Sequence, residues 1–139
     1  METPISSFGF SNIIITRSLI EQDLSKRQGK QVKIDIKPDA KFFKSQHRFQ
    51  LQLDVNIHDD NNRFASNIIT IGFFPTENLS EDNDIFTYLY TNAPALMFPY
   101  IRAFISTLTA QSGLETVIIP PANLTGLGLA IKESLEIID

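Results

Sequence analysis

Asn92-Ala-Pro-Ala-Leu-Met-Phe98-Pro99-Tyr100-Ile-Arg102-Ala-Phe-Ile-Ser-Thr-Leu108 is the stretch on which the reading of this 139-residue chain turns. From Ala93 to Ala110 there are 18 residues and a single charge, Arg102. Met97, Ile101, Phe104, Ile105 and Leu108 recur at helical spacing. Asn92 suits a helix cap, Pro94 is tolerated in a first turn, and Gly113 is a natural stop. Pro99 falls inside the helix and should kink it, because it removes a donor and crowds the preceding turn. A helix that is apolar nearly all round is normally buried on every side or spans a membrane. Two prolines, Arg102 and three hydroxyl residues argue against spanning. One small domain covers one side of such a helix, so a second subunit is expected on the other.

Upstream, the period changes from helical to two. Phe49, Leu51, Leu53, Val55 and Ile57 alternate with Gln50, Gln52, Asp54, Asn56 and His58, which places one row on a core and the other in water. Asp59-Asp60-Asn61-Asn62 is a turn signal, and Phe64 to Phe74 reads as the return strand of a hairpin over residues 48–74. Before it, Val32, Ile34 and Ile36 alternate with Lys33, Asp35 and Lys37. This strand is expected to break at Pro38 and to continue toward Phe42 and Phe43. Phe8 to Ile20 contains Ile13, Ile14 and Ile15, a β-branched run suited to a first strand. Ile85, Tyr88 and Leu89 suggest a separate short helical turn. Leu114 to Pro121 reads as an unusually apolar loop, and Asn123 to Ile138 as a second helix weakened by Gly126 and Gly128. Four strands followed by two helices indicate one α+β domain over residues 1–139. The helices should pack on one face of a four-stranded antiparallel sheet.

Composition narrows the function. The chain has 42% hydrophobic and 20% charged residues and no cysteine, as expected of a globular domain without disulfides or thiolate metal sites. The opening Met-Glu-Thr-Pro-Ile-Ser-Ser has neither the basic start nor the apolar run of a signal peptide, so a cytoplasmic setting is expected. Residues 1–48 hold nine Lys/Arg against five Asp/Glu, whereas residues 49–139 hold three against eleven, within a net charge of −4. The basic share includes Lys26, Arg27, Lys30, Lys33, Lys37, Lys41, Lys44 and Arg48. It suits a nucleic acid or an acidic protein, or simply a solvated strand face. His47 and His58 have no second ligand type at metal spacing. Gly126-Leu-Gly128 lacks the preceding strand of a nucleotide loop. No catalytic constellation, metal or cofactor is expected. What remains is apolar surface, and that implies binding.

At Asn92-Ala-Pro-Ala-Leu-Met-Phe98-Pro99-Tyr100-Ile-Arg102 the chain resembles the SecB family of bacterial protein-export chaperones. The resemblance extends through Gly113, the apolar Leu114-Glu-Thr-Val-Ile-Ile-Pro120 and Pro121-Ala-Asn123. It implies a four-stranded sheet with a long and a shorter helix, subunits that pair, and pairs that stack into a tetramer with the long helices between the sheets. It also implies holding of unfolded preproteins without nucleotide, with delivery to the SecA motor or, in some relatives, protection of an antitoxin. Leu124, Thr125 and Gly126 depart from the aromatic residues common there in the family. The basic strip and the end at Asp139 depart from its acidic character and polar tail. For client grooves the candidates are Leu114, Val117, Ile118 and Ile119 of the loop, Leu124 and Leu127 of the second helix, and Phe42 and Phe43. The alternative for each is closure of the core. Phe98, Tyr100, Ile101, Arg102, Phe104 and Leu108 are assigned to the core and subunit interface. Arg102 is expected to find a carboxylate or carbonyl partner, since an unpaired buried charge is costly. A nucleic-acid-binding module using Lys26 to Arg48 is the rival reading.

Overall fold

A computed structural model describes residues 12–77, 83–120 and 126–139, with the backbone alone for 83 and 84. Strand β1 spans Asn12–Gln22, β2 Val32–Phe43, β3 Arg48–Asp59 and β4 Phe64–Pro75. Helix α1 spans Asn83–Gln111, α2 Leu127–Ser134, and a short β5 spans Glu136–Ile138. The sheet order is β1-β4-β3-β2-β5. Strands β2, β3 and β4 form consecutive antiparallel hairpin neighbours, and β1 lies beside β4, so the first connection must cross two strands in Greek-key fashion.

The hairpin read over residues 48–74 is present, with Phe49 opposite Phe74 and Leu53 opposite Thr70. Its alternation is complete. Phe49, Leu51, Leu53, Val55 and Ile57 are buried, while Gln50, Gln52, Asp54, Asn56 and His58 are half-buried on the opposite face. Asn62 adopts a left-handed conformation in the turn, one that Asn tolerates better than most residues.

Three expectations need correction. The sheet has five strands and is mixed, because β5 pairs parallel to β2 through Lys41, Phe42 and Phe43. Residues 136–138 therefore do not extend the second helix. Ser134 ends it, and its Oγ accepts a hydrogen bond from the Ala40 N–H at 3.0 Å, steering the following Glu136-Ile137-Ile138 onto the outer edge of β2. Edge strands leave unpaired backbone groups, and the tail satisfies some of them. Nor does β2 break at Pro38, which stays in register opposite Leu53. Pro38 is two residues from Ala40, so its nitrogen faces the same way, toward the edge, and no bond to β3 is lost.

The helix also begins earlier than its caps suggest. Asn83–Gln111 is one element with Pro94 and Pro99 inside it, and Ile85, Tyr88 and Leu89 belong to its first turns. Asn92 is not a cap. Its Nδ2 donates to the Tyr88 carbonyl at 2.8 Å, one turn back along the helix. Ile85, Leu89, Ala93, Met97, Ile101 and Ile105 recur every four residues and are all buried against the sheet. The helix crosses Gly72 so closely that a Cβ there would lie 2.8 Å from Met97 Sδ. Burial of that stripe against the sheet, rather than helix propensity, keeps two prolines within one helix. Gly113, at φ 82°, ends it as expected. No helix among the described residues is long and apolar enough to cross a membrane.

Candidate functional site

Two connections carry backbone that the sheet ladder does not hold, and side chains fix both. The first is the crossover from β1 to β2, residues 23–31. The buried Asp59 at the end of β3 accepts from the N–H of Gly29 at 2.7 Å, of Arg63 at 2.7 Å and of Phe64 at 3.2 Å. Burial by itself would raise the pKa of this carboxyl. The backbone hydrogen bonds from Gly29, Phe64 and Arg63 outweigh burial and hold it below the ordinary value. Asp60 Oδ1 accepts from the Lys30 N–H at 3.0 Å, and Asn61 Nδ2 donates to the Arg27 carbonyl at 2.6 Å. Gly29 is required sterically, since a Cβ there would collide with Asp60 Oδ1. At the other end, Asp23 accepts from the Ser25 hydroxyl at 2.6 Å and N–H at 3.0 Å, and these bonds lower its pKa.

The second connection, residues 112–120, is the apolar loop. Thr109 is fully buried on α1, and its hydroxyl accepts from the Val117 N–H at 3.0 Å and donates to the Ile105 carbonyl at 2.8 Å. Ser106 Oγ donates to the Val117 carbonyl at 2.9 Å. With both polar groups of Val117 held, residues 117–119 alternate. Val117 and Ile119 turn into the core, and Ile118 turns outward, 58% exposed. The Val-Ile-Ile run therefore serves core and surface together.

These connections border a groove of about 210 Å³ whose lining includes Lys30, Ile34, Phe64, Val117 and Ile118. A larger groove, about 610 Å³, lies between the first half of α1 and α2. It is lined by Phe86, Thr87, Tyr90, Thr91, Gly128, Leu129 and Lys132. Phe42 meets Phe86 edge-on at 5.3 Å between ring centroids, and Phe86 stacks on Tyr90 at 6.4 Å, so aromatic contacts continue from the sheet core to the groove floor. Partial burial raises the Tyr90 pKa. Gly128 faces Tyr90, where an added Cβ would be in ordinary contact at 3.8 Å. Leu129, 66% exposed, offers an unburied apolar wall.

Of the eight residues expected to line client grooves, the seven that are described do not come together in one groove. Phe42, Leu114, Val117, Ile119 and Leu127 are buried in the common core, as the core-closing alternative required. Val117 also lines the smaller groove, as does the exposed Ile118. Phe43 is half-buried on the opposite face of the sheet, where the Arg48 guanidinium lies 4.6 Å from its ring centre and 5.4 Å from that of Phe73. Leu124 lies outside the described residues. Sequence reasoning missed Phe86, Tyr90, Leu129 and Lys132. The signals were present, as Phe86 and Tyr90 are four apart on a helix and Leu129 and Lys132 three apart. Of the residues assigned to core and interface, Ile101 is buried within the protomer. Phe98, Phe104 and Leu108 are half-buried on the helix flank, and Tyr100 is 55% exposed. Arg102 is exposed, so within the protomer it is not the buried charge that would require a partner.

The basic residues do not form one strip. Lys26, Arg27 and Lys30 lie on the crossover, and Lys44 and Arg48 lie at the far end of β2, a strand about 36 Å long. Between these ends, Lys33, Lys37 and Lys41 share one sheet face with Asp35 and Asp39, and Lys37 is opposite Asp54.

Comparison with known proteins accords with this architecture. A sequence model of the family described as preprotein translocase subunit SecB matches residues 16–131. The protein-export protein SecB of Orientia tsutsugamushi strain Boryong is 30% identical over 92 residues, 63% of this chain and 57% of the relative. That of Bartonella bacilliformis is 25% identical over 124 residues, 88% of this chain and 76% of the relative. An uncharacterised protein of Methanocaldococcus jannaschii is 47% identical over 45 residues, 32% of this chain. The chain thus spans 29% of the archaeal relative and 57% of the Orientia one. Among solved structures, a Mycobacterium tuberculosis SecB-like chaperone in complex with a peptide from an antitoxin superposes with a TM-score of 0.66. That match has 15% identity and covers 84% of this chain and 91% of the other. From a family match that takes in most of β1, the whole of β2, β3, β4 and the long helix, and the first part of α2, the chain belongs to the SecB family.

Proposed function

We propose that the protein is a holding chaperone that works without nucleotide and binds extended apolar segments of unfolded polypeptides in the two grooves described above. The observation that carries this reading is the largely apolar groove between the helices of a SecB-family chain, with the exposed Leu129 at its wall, together with the smaller mixed groove beside the loop that exposes Ile118. Apolar contact is non-directional, so it suits many client sequences. A few hundred Å² of client surface at ~25 cal/mol per Å² supplies several kcal/mol before the cost of ordering the client. The chemistry needs neither a cofactor nor a catalytic group.

The half-buried Phe98, Phe104 and Leu108 and the exposed Tyr100 on α1 support a homo-oligomer, read here as a dimer of dimers in the cytoplasm. Repeating the grooves around the assembly would add avidity along one long client. Delivery to SecA for export is the first reading of its cellular role. The antitoxin peptide held by the Mycobacterium tuberculosis relative favours a second, in which the client is an antitoxin. The test is light scattering coupled to size exclusion, with a chemically unfolded client diluted from denaturant and no nucleotide. A soluble complex of client and oligomer is expected. A client that aggregates as fast as it does alone would sink the proposal.

A further inference from the structure

The outer edge of β2 is closed from Pro38 onward by three different means, and the last of them is weak. Pro38 carries no N–H, the Ala40 N–H donates to Ser134 Oγ at 3.0 Å, and Lys41, Phe42 and Phe43 pair with β5. The Lys44 N–H then donates to the Ile138 carbonyl at 2.7 Å. Strand β5 is only three residues long, against about five or six in a usual strand. It brings little burial with it, since Glu136 is exposed and Ile137 is 56% exposed. Backbone hydrogen bonds rather than packed side chains hold it, which places it at the low-stability end of the molecule.

This edge adjoins the larger groove. Phe42, in the middle of the paired segment, stands opposite Ile137, and its ring meets that of Phe86 in the groove lining at 5.3 Å. Side chains of directly paired residues share a face of the sheet, so Ile137 lies on the groove side. Helix α2 supplies Gly128, Leu129 and Lys132 to the groove and leads through Leu135 directly into β5. The segment seated on the edge, Glu136-Ile137-Ile138, is itself extended and carries two exposed or half-exposed β-branched side chains.

Resting on the holding-chaperone reading, we propose that β5 occupies the edge of β2 in place of a client, and that an extended client segment rich in β-branched or aromatic residues displaces it. The client then pairs with Lys41, Phe42 and Phe43 while its neighbouring side chains fill the larger groove. In strand addition of this kind, main-chain hydrogen bonds supply affinity for any sequence and the groove supplies apolar contact. Competition from β5 makes the edge available only to a segment that pairs better than three tail residues do. Unfolded chains offer such segments, whereas folded proteins have already paired or protected theirs.

Locking the strand in place tests this. The chain has no cysteine, so K41C/E136C introduces one pair of thiols, at register partners on the face away from the groove. Neighbouring strands lie about 4.8 Å apart, within disulfide reach. Binding of a labelled peptide with a Val-Phe-Ile-Tyr core is read by fluorescence anisotropy. The oxidised variant is expected to bind about tenfold more weakly than the same protein after reduction, because the client-competent state is then removed. The converse variant is Ile138→Pro. The Ile138 carbonyl faces β2, so its N–H does too, and proline removes that donor. This variant is expected to bind the peptide about threefold tighter than the parent chain, or more. Equal affinity in the oxidised and reduced forms, or no gain in Ile138→Pro, with intact holding of an unfolded client, overturns the displacement of β5 alone. Failure of the parent chain to bind the peptide and to hold any client overturns the chaperone reading as well.

Discussion

The two connections that flank the smaller groove do the same mechanical work by opposite chemistry. Residues 112–120 are held by neutral hydroxyls from α1 and by burial of Leu114, Val117 and Ile119. Residues 23–31 are polar and are held by the carboxylates of Asp59 and Asp60. A loop that buries side chains needs few polar ties, because its apolar residues provide most of its stability. A loop that buries none depends on its hydrogen bonds, and here one buried carboxylate serves three donors at once. The first connection should therefore respond to volume and hydroxyl loss, and the second to charge and pH.

The comparison is broken most severely at Asp59. Asp59→Ala leaves the Gly29, Arg63 and Phe64 N–H groups without their acceptor, and a loss of about 3–5 kcal/mol in urea unfolding is expected. A loss under about 1 kcal/mol would mean that water replaces the carboxylate and the crossover needs no anchor. The counterpart on the apolar side is Thr109→Val, which keeps the volume but orphans the Val117 N–H. A cost of about 1–3 kcal/mol is expected from the same measurement.

The next prediction separates core from surface within the apolar loop. Ile118→Asp should change stability by no more than about 0.5 kcal/mol, since the side chain is exposed, yet weaken client binding several-fold in a titration with unfolded protein. Val117→Asp should instead damage the fold, because it buries a charge beside Thr109. Equal folding by both variants would contradict the alternation described for this loop.

The smallest effect sharpens the chemical contrast. The folded-state pKa of Asp59 lies below its ordinary 3.8. Its stabilisation is therefore fully present above that value and is lost as pH falls through the lowered one. Between pH 5 and pH 2.5, the amide-exchange protection of Gly29 should fall before that of Val117, whose acceptor is a hydroxyl. Parallel loss at both sites would show that acid unfolds the domain as a unit.

Where a segment was governed by its own neighbours, it was legible. The alternation from Phe49 to Ile57 needs only the two-residue period, and the left-handed Gly113 needs only the absence of a Cβ. Where a distant element decides, local signals misled. Asn92 and Pro94 look like a helix start, yet the helix continues back to Asn83 because Ile85 and Leu89 are buried with Met97. Glu136-Ile137-Ile138 has no local reason to leave the helix and is drawn out by the open edge of β2. The groove residues followed the same division. A run such as Val117-Ile118-Ile119 announces apolar contact, but not which side chain will be spent on the core.

The sequence by itself determined the hairpin, the long helix, the order of strands before helices and the motif block that ties the chain to its family, because each depends on spacing along the backbone. Only the tertiary structure decided the fifth strand, the position of the two grooves and which apolar residues face outward. Burial is shared among segments far apart in the chain, and its allotment between core and surface is set by which of them meet.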